Sequence, residues 1–336
     1  HRNQPQVRHY EGIQIVRPMA GPIGLISNPS SGHNRDQFEG IRSRIERHPS
    51  IHHRITHCTA DIGPVLQELA DLNVRVLAIN GGDGTVAAIL GALLESKPFV
   101  TPPLIALLPG GTANMSAGDV GLRGSLNKAV TDFCRWSEGN RETANKIAQR
   151  AMLRVVIDTD QPERYGMFLG SGAVIHGTEY AHKEIHSRGL RDDFSLALGT
   201  LRTVWGVVRD DPDFNQQVDI TLSLEDSDPT QYSTLILAVS TLQRLAFGMR
   251  PFWSTEPGAI RLTLMEQGCT RFARTFFSIV RGRHSRNAMP TSGYHSHNTN
   301  RVTLKMEGKI NLDGELLQVA QAATISASEP LAFLRL

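Results

Sequence analysis

Three glycine-rich turns, each directly after a short apolar run, constrain the fold of this chain more than any other feature of its sequence. The apolar runs cover residues 23–26, 74–79 and 104–108, and stretches with the apolar spacing of helices separate them. Parallel strands joined by crossover helices produce this pattern, so we predict an α/β domain over residues 21–145. The turns that follow the three runs are Asn28-Pro29-Ser30-Ser31-Gly32, Gly81-Gly82-Asp83-Gly84-Thr85 and Pro109-Gly110-Gly111-Thr112-Ala113-Asn114.

The position of these turns predicts a binding site for phosphate groups. Open α/β sheets bind their ligands at the carboxyl ends of the strands, which is where all three turns fall. Glycine lets backbone amides approach an anion closely, and the start of the following helix adds N–H donors and a favourable dipole. One such turn could be only a tight connection, but three in succession favour a nucleotide site. The chain contains neither GxxxxGK[ST] nor GxGxxG, so it is not a common P-loop or dinucleotide fold.

The second half of the chain has a different periodicity. Apolar and polar residues alternate over segments 152–157, 218–224, 232–239, 260–264 and 301–306. This period predicts half-buried strands, and we expect residues 146–325 to form an antiparallel β-sandwich domain. Two helical inserts are predicted between the strands, at 192–208 and 271–280. Residues 1–20 are expected to be an N-terminal extension, and the apolar end of the chain, within 326–336, is a candidate to return to the first domain.

Acidic residues supply the candidate catalytic groups. Asp83 is the only acid within the three turns, where glycines leave it little steric cover. It suits a magnesium contact or a base acting on an incoming hydroxyl, although a helix N-cap is the ordinary role of such an Asp. Downstream, Asp313-Gly314-Glu315 places two carboxylates in a turn, which alone is a common turn sequence.

Charge and cysteine content limit the classes of partner and compartment. The chain has 35 basic and 33 acidic residues and a net charge of +2, which gives no overall field for a nucleic acid. The three cysteines lie far apart and form no CxxC pair, so neither a zinc site nor a disulfide framework is predicted. We expect a cytoplasmic protein that is either soluble or peripherally associated with a membrane.

Taken in order, the three turns and the downstream DGE sequence resemble the diacylglycerol kinase catalytic-domain superfamily. This group includes bacterial diacylglycerol kinases and related lipid kinases, sphingosine kinases and ceramide kinases. The resemblance covers about residues 22–325. NAD kinases, which are distant relatives, share the GGDGT turn, whereas the PGGTAN turn favours the lipid kinases.

This resemblance implies that ATP and Mg2+ bind between an N-terminal nucleotide-binding domain and a C-terminal β-sandwich. It implies that Asp83 or Glu315 is the general base, with Asp313 supporting that base or the metal. Asp83 is also the candidate magnesium ligand. The residues that the resemblance places around ATP are Asn28, Pro29, Ser30, Ser31, Gly32, Thr56, Gly81, Gly82, Gly84, Thr85, Gly111, Thr112 and Asn114.

Two positions depart from the family pattern. Many bacterial members have Asp directly after the third turn. This chain has Met115 at that position, and sphingosine kinases also have an apolar residue there. The segment Glu256-Pro257-Gly258-Ala259-Ile260 stands where many bacterial members have a DGxLD-like stretch that helps to hold a structural magnesium. The acid expected for that metal is therefore missing.

The resemblance implies an ATP-dependent lipid kinase that phosphorylates a hydroxyl of a diacylglycerol or sphingoid-base lipid. Two rival functions are an NAD kinase-like enzyme acting on a soluble substrate and an inactive lipid or nucleotide sensor. The expected partners are a lipid at a membrane surface and a second copy of the chain in a homodimer. In the 271–280 insert, Phe272, Phe276, Ile279 and Val280 share one helical face, which suits either an interfacial helix or packing on the second domain.

Overall fold

The computed structural model describes residues 19–112, 114–159, 161–175, 206, 217–225, 227–283 and 285–336. Except for residue 206, the helix predicted at 192–208 lies outside this part of the chain. In chain order, the elements are β1 (Ile23–Ser27), α1 (Phe38–Glu46), β2 (Ile51–Ile55), α2 (Ile62–Asp71), β3 (Val76–Gly81), α3 (Asp83–Ser96), β4 (Leu104–Pro109), α4 (Met115–Val120), α5 (Leu126–Glu138), β5 (Ile147–Arg150), β6 (Leu153–Ile157), β7 (Arg164–Gly166), β8 (Phe168–Gly172), β9 (Val218–Leu224), β10 (Thr230–Ser240), β11 (Ile260–Glu266), α6 (Phe272–Val280), β12 (Tyr294–Thr299), β13 (Arg301–Lys305), β14 (Gly308–Leu312), β15 (Glu315–Val319), β16 (Ala322–Ala327) and β17 (Leu331–Leu334).

The first sheet has the strand order β2-β1-β3-β4-β17-β5. Strands β1 to β4 and β17 run parallel, and β5 is antiparallel to β17. Every residue of β1, β3 and β4 is buried. The reason is that helices cover both faces: α2 and α3 pack on one side, and α1 and α5 on the other. The predicted α/β domain is confirmed.

The second sheet is antiparallel in all of its recorded strand pairs. It has eleven strands in the described residues, and β10 is its branch point, pairing with β8, β9 and β11. Alternate residues of these strands point into one apolar core, which contains Leu153, Leu237 and Leu304 among others. The predicted antiparallel domain is also confirmed, and its strands form one continuous, sandwich-like sheet around that core.

The chain crosses between the two sheets twice, and the two crossing segments are joined by hydrogen bonds. Met152 donates its N–H to Ser328 Oγ over 2.8 Å, and the N–H of Ser328 donates to the Met152 carbonyl over 2.9 Å. β5 still belongs to the first sheet, so the chain leaves that sheet after residue 150, slightly later than the expected boundary at 145/146. The last strand, β17, lies between β4 and β5.

One core cluster joins the two sheets. It combines residues of α3 and α4 with Met167, Leu242 and Leu245, which come from the second part of the chain. β7 also lies directly on α3, because a Cβ on Gly91 would be 3.2 Å from the Cβ of Tyr165. Apolar packing therefore fixes the second sheet against the helices that begin at the glycine-rich turns. None of the helices among the described residues is long and apolar enough to span a membrane.

Candidate active site

The three glycine-rich turns meet at the carboxyl edge of the first sheet. A Cβ on Gly111 would lie 2.2 Å from the Cα of Gly82, so the second and third turns are in backbone contact. A Cβ on Gly32 would lie 2.2 Å from Thr112 Oγ1, which brings the first turn against the third. These glycines are required because no side chain fits between the turns.

Side chains of the turns also bond to one another. Asn28 donates through Nδ2 to Thr85 Oγ1 over 2.9 Å. The backbone N–H of Gly82 donates to Ser31 Oγ over 3.2 Å. These bonds hold the first turn to the start of α3, where Gly82 is the N-cap residue. Asn28 and Ser31 therefore shape the turns in this structure.

A buried pair of asparagines lies beneath the turns and was not predicted from the sequence. The side-chain amides of Asn34 and Asn80 form two reciprocal hydrogen bonds of 2.9 and 3.0 Å, and both residues are fully buried. Asn80 also donates to Ser27 Oγ, which in turn is 2.8 Å from His53 Nε2. Burial lowers the pKa of His53 to about 4, so its ring is neutral at physiological pH. The signal for this network was Asn80 itself, a polar residue at the end of a buried apolar run.

Asn114 closes the third turn. It has the left-handed conformation, with φ of 47°. Its Oδ1 accepts from the Gly111 N–H over 2.9 Å, and its Nδ2 donates to the Gly111 carbonyl over 2.8 Å. Since the side chain is engaged within its own turn, the structure gives Asn114 a supporting position.

Asp83 bridges the second and third turns. Its Oδ2 accepts from the N–H of Met115 and its Oδ1 from the N–H of Ser116, both over 2.9 Å. The carboxylate therefore caps the start of α4, rather than its own helix. The Met115 side chain packs on the apolar core, so an apolar residue at this position is compatible with the backbone contact to Asp83.

Asp313 is held in the same manner by the second sheet. Its Oδ2 accepts from the Met167 N–H over 2.8 Å, and its Oδ1 accepts from the Phe168 N–H over 2.9 Å. Burial of the carboxyl, with a smaller contribution from the negative charge of Asp83, raises its pKa to about 7 against the opposing effect of the two N–H donors. The charge of Asp83, at the start of α3, therefore acts on the carboxyl of Asp313 in the second sheet.

Glu315 is placed differently from the two aspartates. Its side chain is exposed, and Oε1 is 3.1 Å from Arg164 Nη1. Asn311 fixes the turn before it by accepting the Gly314 N–H through Oδ1 over 2.8 Å. Glu315 thus stands at the solvent side of the turn that carries Asp313.

Some of the remaining candidate ATP contacts are packed inside the protein, and others are open to solvent. Thr56 is buried at the end of β2 and donates its N–H to the Ser27 carbonyl over 3.0 Å. Gly81 packs tightly, since a Cβ there would lie 2.7 Å from Thr85 Cγ2. By contrast, a Cβ on Gly84 would meet no atom within 4 Å. Pro29 and Ser30 lie at the outer edge of the first turn, where Ser30 is exposed. Open space for a ligand therefore lies over Gly84 at the start of α3.

The apolar face predicted on α6 turns toward the protein. Ile279 is buried, and Phe272 and Phe276 pack on the cluster that contains Tyr294 and Met265. The packing alternative is therefore correct for this face. Phe277, which the helical projection left off that face, is the exposed aromatic residue of the helix.

Comparison with known proteins identifies the class of this fold. The family model for the diacylglycerol kinase catalytic domain matches residues 22–148. A diacylglycerol kinase of Bacillus anthracis superposes with a TM-score of 0.62 at 13% identity, covering 94% of this chain and 96% of that structure. A yeast NADH kinase complexed with NADH superposes with a TM-score of 0.52 at 10% identity, covering 94% and 83%. The fold is thus shared with this diacylglycerol kinase and this NADH kinase.

Relatives in sequence point to the same family. The probable lipid kinase YegS of Escherichia fergusonii is 30% identical over 161 residues, which are 46% of this chain and 54% of the relative. The corresponding protein of Salmonella arizonae is 35% identical over the same length and the same shares. The chain spans about half the length of these curated relatives. The chain is therefore similar to the diacylglycerol kinase catalytic domain over residues 22–148, and to probable lipid kinases over 161 residues.

Proposed function

We propose that this protein is an ATP-dependent lipid kinase that phosphorylates a hydroxyl group of a membrane lipid. The observation that carries the proposal is the meeting of three glycine-rich turns, with Asp83 held beside them and Asp313 of the second sheet within reach of its charge. Phosphoryl transfer depends on positioning and on charge stabilisation. Both aspartates are oriented by two backbone N–H donors, so their positions are set by the fold itself.

The nucleotide would lie over the start of α3. The open space above Gly84, the contact of the turns at Gly82 and Gly111, and the positive end of a long helix all favour phosphate groups there. Gly84 is exposed and its missing side chain leaves the backbone accessible. The hydrogen bonds from Asn28 to Thr85 and from the Gly82 N–H to Ser31 would keep the turns in the required shape.

The donor set also fits the magnesium ion that accompanies ATP. Mg2+ prefers carboxylate oxygens, keeps several waters and takes its other ligands from phosphates, so two protein carboxylates are sufficient. Among the described residues, no group of three or more His, Cys, Asp or Glu side chains could hold a metal, which argues against a closed protein cage. One of the two carboxylates would hold the ion, which would neutralise charge on the phosphates, and the other would stay free to accept a proton.

The proton of the lipid hydroxyl requires an acceptor. As the hydroxyl oxygen forms its bond to the γ-phosphorus, the bond from that phosphorus to the β–γ bridging oxygen breaks, and ADP leaves. A base with a pKa near the working pH is effective in such a step, and the aspartate pair has this property through the raised pKa of Asp313. We assign the proton acceptor to the Asp83–Asp313 pair, and Glu315, held by Arg164, to the solvent side of the site.

The membrane side of the proposal rests on α6. Phe277 is exposed, and Arg274 and Arg281 are exposed on the same side of this helix. An aromatic residue flanked by cations suits the interface of an anionic bilayer. Peripheral attachment at the cytoplasmic face of a membrane follows as part of this proposal, and a homodimer stays a prediction.

The test is transfer of labelled γ-phosphate from Mg-ATP in mixed micelles. The acceptors are diacylglycerol, monoacylglycerol, phosphatidylglycerol, sphingosine and ceramide, with NAD as the soluble control. We expect label on one lipid and at least a hundredfold loss of rate in Asp83→Asn, following the typical magnitude of a lost general base. Asp71→Asn, at the exposed end of α2, is the matched control and should keep the wild-type rate.

Two outcomes would contradict the proposal. Label on NAD alone would assign the protein to the NAD kinase branch of the fold, which the yeast structural likeness makes the nearest rival. ATP binding without label on any acceptor would indicate a sensor. Circular dichroism of Asp83→Asn must match the wild type, because Asn keeps one oxygen for the Met115 or Ser116 N–H.

A further inference from the structure

The buried asparagine pair beneath the glycine-rich turns uses every hydrogen that its two side-chain amides can donate. Asn34 donates through Nδ2 to Asn80 Oδ1 over 2.9 Å and to the Asn28 carbonyl over 3.0 Å. Asn80 donates through Nδ2 to Asn34 Oδ1 over 3.0 Å and to Ser27 Oγ over 3.2 Å. Rotating either amide by half a turn would bring acceptor against acceptor, so this pattern of bonds fixes the orientation of both side chains.

The asparagine pair contacts all three turns. Asn34 bonds to the first turn through the Asn28 carbonyl, and Asn80 directly precedes Gly81 of the second turn. In the third turn, a Cβ on Gly110 would lie 2.3 Å from Asn80 Oδ1 and 2.8 Å from Asn34 Nδ2. The third turn therefore packs directly on the two amides, and their position sets the distance between the turns.

Stability alone does not account for a polar pair at this place. Both asparagines are fully buried, and two apolar side chains of similar shape can be about as stable, because a buried hydrogen bond replaces bonds to water. Hydrogen bonds are directional, however, so an amide pair can fix one spacing where apolar side chains would allow several. A pair of this kind between turns that face a ligand indicates a role in positioning.

We propose that Asn34 and Asn80 are positioning residues, which hold the three turns at the spacing that the phosphates of ATP require. This role rests on the proposed function, because it takes the turns as the ATP site. Neither asparagine contacts the nucleotide; both act through the backbone of Asn28 and Gly110.

Stability and ATP binding should respond differently when the pair is replaced. Asn80→Leu should lower Tm, because the buried Asn34 amide loses both of its bonds to Asn80. The double variant Asn34→Leu/Asn80→Leu should recover most of that loss. In this variant the Asn28 carbonyl still accepts the Ser31 N–H. In both variants the dissociation constant for Mg-ATP should rise about tenfold, the equivalent of one lost hydrogen bond. Thermal unfolding and calorimetric titration measure the two quantities.

Asn298→Leu is the matched control. Asn298 is also buried, and its Nδ2 likewise donates to two acceptors, the carbonyls of Ser254 and Glu256. It lies in β12 of the second sheet. The variant should lower Tm and leave the dissociation constant for Mg-ATP unchanged, which separates the positioning of the turns from a general loss of stability.

Hydrogen exchange in the nucleotide-free protein tests the positioning role without ATP. The His33 N–H donates to the Gly110 carbonyl over 3.0 Å, and this bond joins the first turn to the third. The Gly82 N–H donates to Ser31 Oγ over 3.2 Å, which joins the second turn to the first. In the double variant, peptides that cover these two N–H groups should exchange faster than in the wild type, whereas Asn298→Leu should leave their exchange unchanged.

Three results would overturn the positioning role. The first is a wild-type dissociation constant in the double variant, because the amides would then only fill space. The second is an equal loss of ATP affinity in Asn298→Leu. The third is a double variant less stable than Asn80→Leu, which would show that the fold itself depends on the pair.

Failure of the proposed function would look different. If the wild type binds no Mg-ATP, the turns are not an ATP site, and hydrogen exchange decides whether the asparagine pair spaces them. Faster exchange in the double variant would uphold the pair as the element that spaces the turns. Equal exchange would refute it, whether or not the wild type binds ATP.

Discussion

Asp83 and Asp313 share one arrangement at the scale of single residues. Each oxygen of each carboxylate accepts one backbone N–H, so both side chains are oriented without a side-chain partner. They differ in what surrounds them, because burial raises the pKa of Asp313 to about 7. A carboxyl that binds its proton more tightly in the folded state makes stability depend on pH.

We predict that Asp313→Asn flattens this dependence. The pKa of an unfolded Asp is near 4, so from pH 4 to 7 the unfolded state loses its proton while the folded state keeps it. The wild type should therefore lose about 1.4 kcal/mol of unfolding free energy per pH unit through this group as pH rises. Urea unfolding at pH 5 and pH 6.5 measures it. Equal slopes for wild type and Asp313→Asn would refute the raised pKa.

The glycines of the turns give a second prediction at this scale. Gly84→Ala should leave stability unchanged or improved, since its Cβ meets no atom, but should weaken ATP binding at least tenfold if phosphates lie there. Gly111→Ala is the contrasting variant, because its Cβ would lie 2.2 Å from the Cα of Gly82 and force the turns apart. Calorimetric titration with ATP and thermal unfolding separate the two effects. Normal ATP affinity in Gly84→Ala would place the nucleotide elsewhere.

At the scale of elements, α6 shows how an amphipathic pattern can mislead. The sequence correctly predicts the helix and its apolar face. It cannot tell whether that face meets lipid or protein, since both are apolar environments. In the folded protein the second sheet covers the face, and Phe277 is left at 41% exposure.

We predict that Phe277→Ser weakens binding to anionic vesicles about fivefold, because a partly inserted aromatic ring contributes roughly 1 kcal/mol. Val100→Ser is the matched control: Val100 is a fully exposed apolar residue in the loop between α3 and β4. It should leave vesicle binding unchanged. Cosedimentation with phosphatidylglycerol vesicles provides the measurement, and an equal loss in both variants would contradict a specific role for α6.

At the scale of the whole molecule, strand β17 joins the other strands of the first sheet to β5. Phe333 of β17 is fully buried, and its strand lies between β4 and β5. Phe333→Ala should cost about 3–5 kcal/mol of unfolding free energy, as large-to-small changes of buried aromatics do. Leu336→Ala, at the half-buried last residue, should cost much less. Urea unfolding followed by circular dichroism tests this, and equal costs would show that β17 contributes little to the sheet.

The sequence by itself determined the elements and the class of fold. Buried strands, amphipathic helices and turns such as Gly81–Thr85 depend on local patterns, which apolar spacing and glycine encode directly. It also singled out Asp83, the only acid within the three turns, but it could not show that this carboxylate caps α4 rather than its own helix.

Only the tertiary structure decided which distant residues meet. The charge of Asp83 acts on Asp313, and Asp119 of α4 meets Arg150 of β5 and the Gln243 N–H, because the two sheets pack on α3 and α4. The same packing turned Asn34 and Asn80 toward each other under the turns. No local pattern specifies such contacts, since they arise from the burial of apolar surface between elements that are far apart in the chain.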